Sequence, residues 1–190
     1  MSSLQKFHRR TMSLGPVTWP PSTIGMGDET HGYWVGTAGD GTSKLIVAPK
    51  STETTAQWGS YGITRAATSI TDGLTNTNLL YAFGNSITTG HPAAYYCKTL
   101  TFGGYNTWYL PAPIELMSTY SAKNKATFTT SNSAMMGTST FYWSSFIYTD
   151  NPNYGAWGSY LDGSMSGAIF GNIKIKTFNG TVRAVRRTSI

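Results

Sequence analysis

The chain has 190 residues, a length that suits one domain or one domain with an arm. Of these residues 12% are charged, 14% are aromatic and 21 are glycines, a composition that favours short strands, turns and irregular loops. Its formal net charge is +6, yet residues 1–10 and 174–190 hold eight basic residues and no acid, so the middle carries −2. This distribution excludes the basic face that nucleic-acid binding requires, and the lack of any apolar run near about 18 residues excludes membrane insertion.

Residues 1–30 are predicted to form an extended N-terminal arm. They contain Gly15-Pro16 and Pro20-Pro21 and show no hydrophobic periodicity. The basic cluster at the start of the arm suits an acidic protein partner or solvent. We expect the arm to be held by another chain; the alternative is an arm that wraps back onto its own domain. The first residues do not follow the pattern of a secretory leader, so we expect release by lysis or on a particle.

The first part of the domain, residues 31–106, is predicted to hold a β-hairpin and two helices. Two strand-like runs, Tyr33–Thr37 and Lys44–Pro49, flank a glycine-rich turn, and residues 55–61 are a third candidate strand. A short helix is expected over residues 79–83, after a loop at 62–73. A clearer helix begins at His91-Pro92, and Cys97 within it is expected to be a buried, inert thiol.

The rest of the chain is predicted to add one helix and several strands. Residues 107–110 form a candidate strand, the helix runs from Ile114 to about Ala122, and residues 123–138 are a loop. Strands are expected at 139–147, 156–160, 166–170 and 182–187, with a turn at 178–180. Arg183 and Arg186 lie three positions apart on the last strand and therefore face opposite sides, so at least one is structural. The layout is α+β.

No constellation of side chains predicts catalysis, a cofactor or a metal site. His8, His31 and His91 lack metal-ligand spacing to one another or to an acid. Glu115, the best-placed carboxylate, is explained by capping of a helix start. We therefore expect a protein that is not an enzyme.

Short aromatic and arginine motifs recur in a fixed order in the second half of the chain. They are Trp108-Tyr109-Leu110-Pro111 with Glu115-Leu116, then Tyr142-Trp143-Ser144-Ser145, and then Val182-Arg183-Ala184-Val185-Arg186. Together they resemble the small C-type-lectin-like domain of bacterial surface proteins and phage tail-fibre proteins. Over residues 31–190 the resemblance implies small twisted antiparallel sheets with two short helices, long loops, and Trp108 and Trp143 in the core.

Two properties of that superfold are not expected here. Its formylglycine-generating branch uses a pair of cysteines, whereas this chain has Cys97 alone. Its calcium-binding lectins use a carboxylate–Pro–Asn loop, which Asp150-Asn151-Pro152-Asn153 loosely resembles, and a later Trp-Asn-Asp strand. Because Trp157 is followed by Gly158-Ser159, a proline turn is the better interpretation of the first loop.

The resemblance also indicates a ligand-facing surface in the C-terminal part of the fold. Tyrosines there supply rigid anchors and Asn and Asp supply adaptable hydrogen bonds, as in antibody paratopes. The alternative is an ordinary loop that touches only water or a sister subunit. The candidate ligand-binding residues are Tyr148, Asp150, Asn151, Asn153, Tyr154, Tyr160 and Asp162.

These observations predict a virion protein of a phage, in which the lectin-like domain attaches to a protein or glycan of the host surface. The arm is expected to dock onto other virion proteins, and homo-oligomers are expected, although no heptad supports a coiled coil. The alternative is a purely structural subunit, such as a capsid decoration protein, that binds no receptor. The residues expected to dock the arm are Lys6, Arg9, Arg10 and Trp19.

Overall fold

A computed structural model describes residues 19–123, 140–160 and 171–189 of the chain. They form an α+β fold with three α-helices and two small sheets, and a 3-10 turn at Lys50–Thr52. The strands are β1 (Gly27–Asp28), β2 (Gly32–Thr37), β3 (Lys44–Val47), β4 (Thr54–Gln57), β5 (Phe141–Ile147), β6 (Gly155–Tyr160), β7 (Asn172–Ile175), β8 (Asn179–Val182) and β9 (Val185–Thr188), and the helices are α1 (Gly73–Tyr81), α2 (Pro92–Thr99) and α3 (Pro113–Lys123).

The first sheet has the strand order β1-β2-β3-β9 and is antiparallel throughout. Its centre is the predicted hairpin, in which Tyr33 pairs with Val47 and Thr37 pairs with Lys44. The Asp40 carboxylate accepts hydrogen bonds from the backbone N–H groups of Thr42 and Ser43 and so fixes the turn. The hairpin prediction is therefore confirmed.

The second sheet has the strand order β4-β8-β5-β6-β7. The expectation of antiparallel sheets is wrong at one place, because β5 and β8 pair in parallel through Tyr142 and Thr181. The end of the chain differs too: the predicted strand at 182–187 is divided between β8 and β9, which belong to different sheets. β7 was not predicted, and the predicted strand at 166–170 lies outside the described residues.

The described residues contain three α-helices, at the three places that local patterns indicated, whereas the resemblance implied two. α1 begins at Gly73, earlier than predicted, because the Asp72 carboxylate caps it by accepting from the N–H of Thr75 at 3.0 Å. α2 begins at the predicted proline, and α3 closely matches its predicted range. Residues 107–110 are not a full strand: Tyr109 makes an isolated bridge to Val185.

Tryptophans fill the main core, which lies between the sheets and under α1 and α2. Trp58, Trp108 and Trp143 are fully buried, so the expectation for Trp108 and Trp143 is confirmed. The indole N–H of Trp58 donates to the Ser144 carbonyl at 2.8 Å, and that of Trp143 donates to the Ala56 carbonyl at 3.0 Å. Each large side chain is thus buried with its polar atom satisfied. Cys97 is also buried, as predicted, and burial raises the pKa of its thiol.

Residues 19–30 lie against the domain. The Trp19 ring stacks on His31 with 5.0 Å between ring centroids, the Pro21 carbonyl accepts from Lys44 Nζ at 2.9 Å, and β1 extends the first sheet. This part of the chain follows the alternative in which the segment folds back onto its own domain. Residues 1–18, with Lys6, Arg9 and Arg10, lie outside the described residues, so docking through them stays a prediction.

Candidate functional site

A buried carboxylate, Glu115, forms a structural hub beneath the first sheet. Its Oε1 accepts from the Tyr109 hydroxyl at 2.8 Å and lies 3.5 Å from a guanidinium nitrogen of Arg187. Its Oε2 accepts from the N–H of Ala112 at 3.0 Å and of Gly73 at 3.1 Å. The Ala112 bond is the predicted helix cap, whereas the contacts with Gly73 and Arg187 tie α3 to α1 and β9.

The hub is occupied by groups of the chain itself. Burial raises the pKa of Glu115, while the N–H of Ala112, the Tyr109 hydroxyl and the charge of Arg187 act in the opposite direction. Burial likewise raises the pKa of Tyr109. An open pocket of about 400 Å³ borders Tyr109 and Arg187, but Glu115 itself is fully buried. The hub therefore braces the fold, and its carboxylate is closed to solvent.

The two arginines of the last motif are also structural. Arg183 is fully buried; its Nε donates to the Ala48 carbonyl at 2.8 Å and its guanidinium pairs with Glu53 at 3.2 Å. The Arg186 guanidinium packs over the Tyr105 ring, 3.6 Å from its centroid, and near Trp19. The prediction that at least one of the two is structural is confirmed, and it holds for both.

Most of the predicted ligand-binding residues lie together in the turn that joins β5 to β6. Asp150, Asn151, Asn153 and Tyr154 are exposed, and Tyr148 is half-buried with its ring edge-to-face against Trp157 at 5.8 Å. The Asn151 carbonyl accepts from the N–H groups of Tyr154 and Gly155, which closes the turn. The turn therefore presents amide, carboxylate and phenol groups on a fixed backbone.

Tyr160 does not belong to this group, and Asp162 lies outside the described residues. Tyr160 is at the far end of β6, five residues beyond Gly155 at about 3.3 Å per residue. Its ring packs edge-to-face on Phe141 at 5.4 Å and near Lys174. The structure thus separates Tyr160 from the β5–β6 turn, because the strand between them is extended.

Two further loops contact the β5–β6 turn. The N–H of Gly62 donates to the Asn153 carbonyl at 2.9 Å, and the Thr64 hydroxyl donates to Asn153 Oδ1 at 2.8 Å. The Ser60 hydroxyl donates to the Ile87 carbonyl at 3.1 Å. Residues 59–65, 83–90 and 148–154 therefore form one continuous region, which we call the three-loop surface.

The three-loop surface exposes large apolar side chains. Tyr61 is 61% exposed, Ile87 65%, Phe83 46% and Tyr154 42%. Contiguous exposed apolar groups with polar neighbours are typical of interaction sites. Tyr61, Phe83 and Ile87 were not predicted from the sequence, since their proximity to Tyr154 arises only from the tertiary fold. Their signal in the sequence was their position in loops rich in Gly, Ser, Thr and Asn.

Cationic side chains lie within and beneath the three-loop surface. The Arg65 guanidinium stacks on the Phe83 ring, 3.6 Å from its centroid. Lys176 is buried below, where its Nζ donates to the Ile63 carbonyl and lies 5.5 Å from the Trp58 ring centroid. Burial, with the charge of Arg65, lowers the pKa of Lys176 to about 8.

His91 completes this cluster and is neutral. Its ring is fully buried edge-to-face against Trp58 at 5.0 Å, and its Nδ1 donates to the Trp58 carbonyl at 3.2 Å. Burial lowers the pKa of His91 to about 4, and the charges of Arg65 and Lys176 act in the same direction. As predicted it stands at the helix start, but its side chain makes no capping bond.

No protein-family model matches the chain, and no curated protein shows significant similarity to it. Within residues 19–123, 140–160 and 171–189, no group of three His, Cys, Asp or Glu side chains is arranged to hold a metal ion. None of the helices in these same ranges is long and apolar enough to cross a membrane.

Proposed function

We propose that this chain is a virion protein of a phage whose C-type-lectin-like domain attaches the particle to the host surface through the three-loop surface. The observation that carries the proposal is the exposure of Tyr61, Phe83, Ile87 and Tyr154 on three hydrogen-bonded loops. It is an adhesin, in the tail fibre or tail tip, and does not act as an enzyme.

The division between a braced interior and an exposed polar-aromatic surface supports this role. Glu115 and Arg183 lock the scaffold through buried bonds, and the tryptophans Trp58, Trp108 and Trp143 are used for packing. A rigid scaffold lowers the entropy lost by loops on binding. Tyrosine and phenylalanine rings supply contact area at low entropic cost, and the neighbouring Asn and Thr groups supply hydrogen bonds.

Attachment to the particle is assigned to the N-terminal residues. The basic side chains Lys6, Arg9 and Arg10 dock onto acidic groups of other virion proteins, and the assembled protein is a homo-oligomer. Trp19 contributes less directly, because its ring packs on His31 and near Arg186 of its own domain. Removing residues 1–18 is expected to abolish incorporation into particles and to leave the fold intact. Removing residues 1–30 is expected also to destabilise the domain, because it deletes β1 and the Trp19 contact.

The binding role is tested with fluorescently labelled full-length protein and a panel of intact bacterial strains. The triple variant Tyr61→Ala, Phe83→Ala and Tyr154→Ala removes three exposed rings and replaces no residue of the buried core clusters. We expect at least one strain to retain the wild-type protein, and the triple variant to bind that strain at least about 100-fold more weakly, since aromatic anchors dominate such interfaces.

The matched control is the double variant Ile70→Ala and Ile114→Ala. These two side chains are each 37% exposed, lie outside the three-loop surface, and are joined by a backbone hydrogen bond at 3.1 Å. The control is expected to bind as wild type does. Equal binding by the triple variant, or no retention by any strain, contradicts the adhesin and favours the capsid decoration subunit.

A further inference from the structure

The three-loop surface contains a positive charge without a compensating acid. Arg65 is the one cation among residues 59–65, 83–90 and 148–154, and Asp150 is the one acid. Asp150 is exposed at the tip of the β5–β6 turn and forms no ion pair with Arg65. The guanidinium is held in place by Phe83 below it and by a hydrogen bond from its Nη1 to the Thr64 carbonyl.

Lys176 adds a second positive charge from below. Neither Arg65 nor Lys176 takes part in an ion pair with any described carboxylate. A buried cation without a counter-ion is costly, so the local field favours an anion supplied from outside. The lowered pKa of His91 leaves its ring uncharged near neutral pH, so Arg65 and Lys176 supply the positive charge of this region.

The guanidinium also has donors that the chain leaves unused. Within the described residues Nη2 of Arg65 donates no hydrogen bond, whereas the unpaired Nε is buried, so the Nη1 and Nη2 edge of the half-buried side chain is the one that can reach a ligand. Arginine presents its N–H groups in a planar fork that matches a carboxylate in two parallel bonds. A stacked, pre-oriented fork at the edge of an aromatic surface is a suitable anchor for one carboxylate.

From these observations we infer that the three-loop surface binds a carboxylate-bearing glycan, with the carboxylate of an acidic sugar on Arg65 and neighbouring sugar rings on Tyr61 and Tyr154. This inference rests on the proposed function and names its ligand class. A sugar ring has an apolar C–H face that packs on an aromatic ring, whose face is electronegative, and hydroxyls that pair with amides such as Asn153. One accessible cation among neutral polar groups suits a ligand that places a single carboxylate on Arg65 and contacts the rest of the surface through uncharged ring faces and hydroxyls, as an acidic sugar and its neighbours do.

The test measures binding of the full chain to oligogalacturonate by calorimetry at low salt. Its methyl ester is the neutral probe of the same backbone, and dextran sulfate and inorganic phosphate are the other anions. We expect the acid form to bind, and the methyl ester, dextran sulfate and phosphate to bind at least about 10-fold more weakly. Equal affinity for the acid and its ester, or equal or tighter binding of the sulfate, overturns the inference.

The variant Arg65→Gln is compared with Lys50→Gln, which removes the same charge from an exposed position outside the three-loop surface. Losing a charge-assisted hydrogen-bonded pair is expected to weaken oligogalacturonate binding by about 10-fold to 100-fold in Arg65→Gln. Lys50→Gln is expected to stay within about 2-fold of wild type. Arg65→Lys keeps the charge but loses the fork, and intermediate affinity is expected.

Measurements of binding to intact cells distinguish failure of the glycan inference from failure of the proposed adhesin function. If the triple aromatic variant loses cell binding while Arg65→Gln keeps it, the adhesin stands and the carboxylate anchor is refuted. Cell binding that survives periodate oxidation of glycans but is lost after protease treatment overturns the glycan in favour of a protein receptor. Loss after periodate alone, together with loss in Arg65→Gln, supports the inference.

Discussion

Replacing His91 with Asn tests the electrostatics beneath the three-loop surface. The buried ring is held near a pKa of about 4, against an ordinary value of 6.5. Asparagine keeps a donor at the position of Nδ1, which bonds the Trp58 carbonyl. The substitution therefore removes the titrating group while it preserves that bond, at the cost of some packing.

The expected magnitude follows from the difference between the two pKa values. Between pH 6.5 and about 4, the unfolded chain binds a proton at His91 that the folded chain does not bind. The wild-type free energy of unfolding therefore falls as pH decreases through this window. At about 1.4 kcal/mol per pKa unit, the contribution of this residue is about 3 kcal/mol.

The assay is urea denaturation of wild type and His91→Asn at intervals from pH 4 to pH 8. As pH falls from 7 to 4, the free energy of unfolding of wild type is expected to fall by about 3 kcal/mol more than that of His91→Asn. Other titrating groups, such as Glu115, are common to both proteins and cancel in the difference. If the free energies of unfolding of the two proteins change in parallel over this range, the lowered pKa of His91 is refuted.

A direct titration gives a second measure of the same cluster. Because the charge of Arg65 contributes to the lowered pKa of His91, Arg65→Gln is expected to raise that pKa, as followed by NMR of the ring protons. An unchanged pKa shows that the two groups do not interact.

Two further predictions concern the scaffold. Gly73→Ala is expected to destabilise the protein by about 2–4 kcal/mol in thermal denaturation, because the added Cβ would lie 2.5 Å from both Glu115 Oε2 and the backbone nitrogen of Ala112. A loss below about 1 kcal/mol contradicts the close packing of the hub. Glu53→Ala removes the carboxylate that pairs with the buried Arg183 and accepts from the Tyr142 hydroxyl, so a loss of about 3–5 kcal/mol is expected in urea denaturation. The exposed Asp150→Ala is expected to lose less than about 0.5 kcal/mol, and equal losses contradict the buried pair.

Local patterns predicted many elements of the fold. Alternating apolar residues on both sides of a glycine-rich turn are sufficient for the β2–β3 hairpin, and a proline at the first turn marks α2 and α3. These signals act within a few residues and do not depend on the rest of the chain. The start of α1 was missed because its cap, Asp72, lies within a run of Ser, Thr and Gly that is typical of a loop.

Long-range pairing was the harder part to predict. A single strand was expected at 182–187, yet Arg183 and Ala184 turn the chain from one sheet to the other and place β8 beside β4 and β9 beside β3. The local alternation of apolar and polar residues does not indicate that the chain passes from one sheet to the other here. For the same reason Glu115 was interpreted as a helix cap only, although two of its four hydrogen-bond donors, Gly39 and Gly73, come from distant segments.

The candidate site shows the same limit. The sequence placed Asn153 and Tyr154 in one turn, and the structure brings them together with exposed neighbours. It did not indicate Tyr61 or Phe83, which are about 70–90 residues away in the chain and join the turn only after folding. Their contribution depends on contacts such as the Thr64–Asn153 bond, which residue spacing does not reveal.

Hydroxyl-radical footprinting of the protein bound to intact bacteria tests the central claim most directly, because it requires no knowledge of the ligand. The account predicts that Tyr61, Phe83 and Tyr154 are strongly labelled in free protein and protected at least about 5-fold on cells, while Ile70 and Ile114 are labelled equally in both states. Protection of Ile70 and Ile114 with unchanged labelling of the three rings contradicts the assignment of the three-loop surface as the attachment site.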